Sequence, residues 1–285
     1  MIAVTGASGQ LGGLIARLLA VAGERTRLIG RSAARLPVLP GGTPAPVQDY
    51  ADGASMGRAL AGTDTLLLVS ATEAPDRVEQ HAAAIDAAGR AGVRRIVYVS
   101  FVGAAPDATF TFARDHWHTE QYLTASGLAH TVLRDNLYLA GLPAMVGDDG
   151  VLRGPGGTGR VAAVAHEDVA AVAATVLTGD GFDGVTLDVT GPEALTLSEA
   201  AEVIGRFAGR PVHYEAETEQ QAYASRARYG APDWAVAGWV SSYLAIAAGE
   251  LAAVRPTVPD LTGYPARTLA DFLAEHPDSY RHLVR

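Results

Sequence analysis

Apolar positions in the first half of the chain follow two alternating rhythms. Short, almost unbroken apolar runs occur at residues 2–4, 27–29, 65–70, 95–100 and 129–133, with a weaker one at 44–48. Runs of that length and continuity are expected of strands in a parallel sheet covered on both faces. Between them lie longer segments with helical spacing. In 11–22 the residues Leu11, Ile15, Leu18 and Leu19 share one face, and 52–61, 79–92 and 111–125 behave similarly. Strand and helix alternating at this interval predict βαβ units with right-handed crossovers. The expected fold class is α/β, a Rossmann-type doubly wound parallel sheet.

After Arg134 the rhythm loosens. Residues 141–160 are rich in glycine and proline and predict a loop region over a site. A helix is expected at 166–177 and a strand at 185–189. Thr196 and Glu199 form a capping-box pattern ahead of a helix at 200–208, and 212–215 reads as a strand. The remainder is mainly helical with proline breaks. The uncharged stretch 234–249 is too short to span a bilayer and reads as a buried helix. The expected organisation is therefore a sheet domain over 1–140, with returns to the sheet around 161–190. A smaller, mainly helical substrate-binding lobe over 141–285 is partly interleaved with it.

Composition narrows the chemistry. The chain has 285 residues; its 22 basic residues are all arginine, and it contains no cysteine. Lysine Schiff bases, a phosphate-binding P-loop lysine, cysteine nucleophiles and thiolate metal sites are excluded outright. The net charge of −9 argues against a nonspecific grip on nucleic acid. An apolar strand from Ile2 and a glycine turn at Gly6 leave no room for a signal helix, so a cytoplasmic protein without a membrane segment is expected.

The strongest local motif is Thr5-Gly6-Ala7-Ser8-Gly9-Gln10-Leu11-Gly12, placed directly after the first strand and opening the first helix. Such a turn lets backbone N–H groups approach a pyrophosphate resting on the helix N-terminus, with Gly6, Ser8, Gly9, Gln10 and Leu11 as the cradle. At the end of the second strand stands Arg31, with Arg35 a helical turn later, where an NAD-binding domain would carry an acidic residue. A guanidinium there suits a ribose 2′-phosphate and favours NADP(H), with NAD(H) possible; the other reading is a solvated arginine pair. Asp49 and Tyr50 follow the third strand, on the adenine side. Ser70, Ala71 and Thr72 follow the fourth, at the ribose edge.

These residues, together with 98–103, the stretch 116–138 and the closing segments 261–265 and 268–272, are similar to the NmrA-like branch of the atypical short-chain dehydrogenase/reductases. Within that branch the chain most resembles the type 2 NAD(P)H:quinone oxidoreductases and the triphenylmethane reductases. The resemblance implies NADPH bound without flavin or metal, and hydride passed to a quinone-like or other conjugated small-molecule acceptor. The branch also holds NmrA itself, so the alternative is a non-catalytic NADP(H)-sensing regulator, and only that reading brings a protein partner. The chain is expected to be a monomer or homodimer.

The superfamily's Tyr-x-x-x-Lys engine is impossible here, and none of the ten tyrosines has an arginine four residues later. A sugar-nucleotide epimerase, which depends on that pair, is set aside for the same reason. The lysine found in relatives would fall around Phe112 or Asp115, neither of which replaces it. His116 is the best polar candidate: an imidazole of ordinary pKa near 6.5 suits proton donation or a bond to the nicotinamide ribose. Glu120, one turn on, either orients it or forms a surface pair with it. Ser100 and Phe101 end the fifth strand and are candidate cofactor contacts, although a terminal serine is also a common cap. Arg134, Asn136 and Tyr138 end the sixth; Asn136 and Tyr138 join His116 as catalytic candidates, with Asn136 otherwise a turn residue. Phe101, Tyr138, Leu142, Met145 and Trp234 are candidate walls of the acceptor pocket. No metal site is expected, since His116, His118 and Glu120 do not share one helix face. His166 reads as a helix cap, and His81 and His213 show no partner.

Overall fold

The structure, a computed structural model, describes residues 1–284. In chain order the first elements are β1 (Ile2–Val4), α1 (Gln10–Val21), β2 (Thr26–Gly30), β3 (Gly42–Pro46), α2 (Gly53–Leu60), β4 (Thr65–Val69), α3 (Arg77–Arg90), β5 (Arg95–Phe101), α4 (Thr111–Ala125) and β6 (Ala129–Asp135). Then follow α5 (Gly141–Ala144), β7 (Val151–Gly154), β8 (Arg160–Val161), α6 (His166–Thr178), β9 (Thr186–Val189), β10 (Leu195–Thr196) and α7 (Leu197–Ala208). The chain closes with β11 (His213–Ala216), α8 (Glu219–Arg226), α9 (Asp233–Ala247), α10 (Thr257–Thr262) and α11 (Leu269–Glu275).

Two compact units are formed. The first comprises Met1–Pro106, Asp115–Asp135 and His166–Asp188; the second comprises Asp107–Arg114, Asn136–Ala165 and Val189–Arg285. The first carries the sheet, in the order β3-β2-β1-β4-β5-β6-β9, and every pair from β3 through β6 is parallel. This is the doubly wound arrangement that the alternating pattern predicts. Side chains of successive strand residues point to opposite faces. Leu66, Leu68, Ile96 and Tyr98 form one cluster with Met56 of α2, Ile85 of α3 and Leu123 of α4. Leu67 and Val97, also buried, face the opposite way, the side on which α1 packs against α6. Pro44 and Pro46 lie in β3, an edge strand, where a missing N–H costs no ladder bond.

In the second unit β7 pairs in parallel with β11, and β8 pairs antiparallel with β10. Thr196 caps α7 in a complete capping box with Glu199, as its sequence predicts. Residues 141–160 differ from the expected loop, because α5 and β7 fall within them and β8 begins at their end. Strands of two and four residues are too short to show a period, and the partner of β7 lies some sixty residues along the chain. The segment 107–114 belongs to the second unit although the strand–helix rhythm places it in the first half. Its backbone is held there by Thr111 N–H donating to Ser241 Oγ at 3.1 Å and Thr109 N–H to Glu250 at 3.3 Å. No helix among the described residues is long and apolar enough to cross a membrane.

Candidate functional site

From Val4 the first unit's chain turns through Thr5–Gly9 into α1. Gly6 has φ +62°, in the left-handed region that glycine enters without strain. A Cβ placed on Gly12 would stand 2.4 Å from the Gly6 carbonyl oxygen, so the first turn of α1 rests directly on the loop backbone. The helix starts at Gly9 with no side-chain cap and no acidic residue in its first turn. Its N-terminal amides and the positive end of its dipole are thus presented to an outside acceptor. That donor set fits a diphosphate.

The loop forms one wall of a cleft of about 550 Å³. Gly6, Ser8, Gly9, Gln10, Leu11, Arg31, Asp49, Tyr50, Ser70, Ala71 and Thr72 all line it, so these eleven sequence candidates come together. Arg31 is exposed and makes no ion pair among the described residues, while Gln48 Nε2 donates to its carbonyl at 2.9 Å. Tyr50 turns its hydroxyl inward to donate to Val69 O at 3.1 Å, and burial pushes its pKa up to about 12. It braces the end of β4 as a neutral strut.

Ser100, Phe101, His116, Arg134 and Asn136 do not line this cleft. His116 is 6% exposed, and both ring nitrogens are engaged: Arg77 Nη2 lies 3.3 Å from Nε2, and Tyr98 Oη lies 2.9 Å from Nδ1. A guanidinium only donates, so Nε2 accepts and Nδ1–H donates to the tyrosine. Burial first, and the charge of Arg77 second, hold the ring well below the ordinary histidine range. This geometry does not favour the expected role of a titrating proton donor, because both ring nitrogens of His116 are already engaged. Its expected pairing with Glu120 is also replaced. Glu120 Oε1 accepts from Ser100 Oγ at 2.6 Å and from Arg134 Nε at 2.9 Å, and Oε2 accepts from Arg134 Nη2 at 2.6 Å. This two-pronged bond raises the Arg134 pKa and keeps the cation in place. Ser100, 0% exposed, serves the carboxylate and presents nothing to the cleft.

His81, which shows no partner in the sequence, is a central member of this polar cluster. Its Nε2 accepts from the Ala71 N–H at 2.8 Å, and its Nδ1 lies 2.9 Å from Thr119 Oγ1. Burial, aided by Arg77, pushes its pKa down to about 3. Arg77 itself donates from Nε to the Ala71 carbonyl at 3.0 Å. The overlooked signal was the pair Arg77 and His81, four residues apart on a helix face turned to the sheet.

Asn136 and Tyr138 belong to the second unit. The Asn136 side chain is spent on backbone, with Nδ2 donating to Leu251 O at 3.0 Å and Oδ1 accepting from Leu137 N at 2.8 Å. Among the expected wall residues, Leu142 and Phe101 are buried, and Trp234 is partly exposed beside Phe112, their ring centres 6.1 Å apart. Met145 lines a cavity of about 1080 Å³ within this unit, with Tyr229, Trp239, Tyr243, Arg153 and Arg226.

Residues 6–180 match a family model described as NAD(P)H-binding. The chain is 34% identical to an NAD(P)H azoreductase of Xenophilus azovorans, over 98% of this chain and 99% of that protein. Its fold is similar to the crystal structure of an NADPH-dependent quinone oxidoreductase of Escherichia coli complexed with NADPH. The TM-score is 0.88 and the identity 33%, covering 96% of this chain and 99% of the other. The Citrobacter sp. triphenylmethane reductase complexed with NADP(H) superposes with a TM-score of 0.84 at 27% identity, covering 96% and 99%.

Proposed function

Because the chain belongs to the NAD(P)H-binding family, in the NmrA-like branch of the atypical short-chain dehydrogenase/reductases, we propose that it is an NADPH-dependent reductase of quinone-like or other conjugated small molecules. Relatives alike over nearly the whole chain are named for NAD(P)H-dependent reductions, which supports an oxidoreductase above a sensor. The observation that carries the reading is the cleft: it is lined both by an uncapped helix N-terminus at Gly9 and by exposed Arg31, which makes no ion pair among the described residues. Together they match two charged groups of NADP(H): the diphosphate it shares with NAD(H) and the 2′-phosphate that distinguishes it.

When bound, NADPH supplies a hydride. Residues 6–11 would hold the diphosphate, Arg31 the 2′-phosphate, the Asp49–Tyr50 wall the adenine side, and 70–72 the ribose edge. The Glu120 clamp keeps Arg134 and the end of β5 in place behind them. With no lysine in the chain and both nitrogens of His116 engaged, water supplies the proton that follows the hydride. Conjugated acceptors suit such a site, because the charge left after hydride arrival is delocalised and requires no strong acid. Tyr138 stays a proposed contact of the acceptor.

The test follows NADPH absorbance in flavin-free protein against a panel of quinones, azo dyes and triphenylmethane dyes. Turnover of at least one class is expected. Tight NADPH binding with no turnover across the panel would replace the reductase with the sensing regulator.

A further inference from the structure

Ala71 lies two residues past the end of β4, where the strand ladder has ended, and it lines the cofactor cleft. Its backbone N–H and C=O therefore need partners from elsewhere. Both come from side chains of α3. His81 Nε2 accepts the N–H at 2.8 Å, and Arg77 Nε donates to the carbonyl at 3.0 Å. The same guanidinium reaches α4 through Nη2, 3.3 Å from His116 Nε2.

This is costly placement for a cation. Arg77 is 4% exposed; among the described residues its one ion-pair partner is Asp115, at 3.8 Å, and its buried Nη1 has no hydrogen-bond partner. A buried charge compensated so loosely is poor stabilisation, and an apolar side chain of similar volume would serve the core better. Its geometry, by contrast, is specific: one planar fork spans a peptide of the cleft wall and a ring of the adjacent helix.

We propose that Arg77 is a positioning residue of the cofactor site, holding the cleft-wall peptide at Ala71 and the Nε2 atom of His116 at once. The backbone at 70–72 is thereby set for the cofactor, and both histidines behind it are locked as neutral Nδ1–H tautomers. For His81 the lock follows because a backbone N–H can only donate, which leaves Nδ1–H to face Thr119 Oγ1. Thr119 Oγ1 in turn donates to Asp115 O at 2.8 Å, and Tyr98 closes the ring of contacts against His116. The charged and titratable groups around His116 are Arg77 and His81 from α3, Tyr98 from β5, Arg134 from β6, and Asp115 and Glu120 on its own helix. This inference rests on the reading that the cleft holds NADP(H), and it is independent of any turnover.

The experiment uses the full chain labelled with ¹⁵N-histidine, with His81→Gln and His116→Gln for assignment, and NADPH titrated by calorimetry. In the wild type both rings are expected to show the neutral Nδ1–H pattern between about pH 5.5 and 7.5. In Arg77→Met the His116 Nε2 signal should shift and begin to titrate, and the NADPH dissociation constant should rise about tenfold or more. The preference for NADPH over NADH should stay unchanged, because Arg31 is intact. Arg77→Lys keeps the charge without the fork and should behave like the Met variant. If Arg77→Met does not fold, Arg77→Lys alone decides. Either ring appearing as the Nε2–H form or charged in the wild type would overturn the proposal. So would wild-type binding and signals in Arg77→Lys. A wild type that binds NADPH and shows both tautomers but reduces nothing would sink the reductase reading and leave this inference standing. A wild type that binds no NADPH would sink the reading of the cleft itself.

Discussion

Arg31 stands exposed at the cleft with its carbonyl tied to Gln48, so its guanidinium is positioned without being committed to a carboxylate. If it reads the 2′-phosphate, Arg31→Ala should weaken NADPH by roughly ten- to a hundredfold while changing NADH by less than about threefold. Paired fluorescence titrations check this; equal losses for the two nucleotides would refute it. Gly12 makes a second residue-scale test. Its would-be Cβ meets the Gly6 carbonyl at 2.4 Å, and that neighbour is backbone, which has no rotamer to move. Gly12→Ala should therefore cost about 2 kcal/mol or more and distort the cradle enough to remove measurable NADPH binding. Urea unfolding with a nucleotide titration reads both effects. These positions were legible in the sequence because their roles are local, set by a strand, a turn and a helix start within a few residues. His116 was legible as a place, but its hydrogen-bond partners were not. Its pKa is lowered first by burial and second by Arg77, thirty-nine positions away in the chain.

At the scale of elements, one carboxylate ties α4 to both β5 and β6. Glu120 takes three hydrogen bonds, two from the Arg134 fork and one from the fully buried Ser100 hydroxyl. Glu120→Ala would strand a partly buried cation and a buried donor together, and is expected to cost about 3 kcal/mol of folding free energy. Adding Arg134→Met should recover part of that loss, since the charge no longer needs a partner. A double-mutant cycle by chemical denaturation measures the coupling, and additive losses would show that the clamp is not acting as a unit. The spacing of His116 and Glu120 correctly marks one helix face. It could not reveal that this face turns onto two strands, where each residue finds a different partner. The face of α3 bearing Arg77 and His81 was missed for the same reason: its partners are a strand-end peptide and another helix, set by docking and not by sequence distance.

For the molecule as a whole, what was legible follows the physics of burial. A parallel sheet covered on both faces writes itself as apolar runs, and the order β3-β2-β1-β4-β5-β6-β9 matches the sheet expected from them. The second unit writes weakly, because its two-strand pairs join segments far apart and use two to four residues each. The polar cluster between α3 and α4 nevertheless has a consequence for the entire fold, through proton linkage. In the folded chain His81 titrates only near pH 3, and His116 is also held well below its ordinary value, whereas in the unfolded chain both titrate near about pH 6.5. Below about pH 6.5 the unfolded state therefore binds protons that the folded state refuses, and stability falls as pH falls. The slope is about 1.4 kcal/mol per pH unit for each ring, sustained for His81 down to about pH 3. The carboxylates with lowered pKa, such as Asp64 and Asp52, add their losses only at lower pH, below the ordinary carboxylate range. Urea denaturation should thus show a loss of about 2 to 3 kcal/mol between pH 7 and pH 5.5, and little change between pH 7 and 8. In His81→Gln the amide can still accept from Ala71 and donate to Thr119, so the fold should survive with about half of that slope. A stability profile flat from pH 7 to pH 5.5 would mean that both rings accept protons inside the fold, and with that the neutral cluster behind the cleft would be disproved.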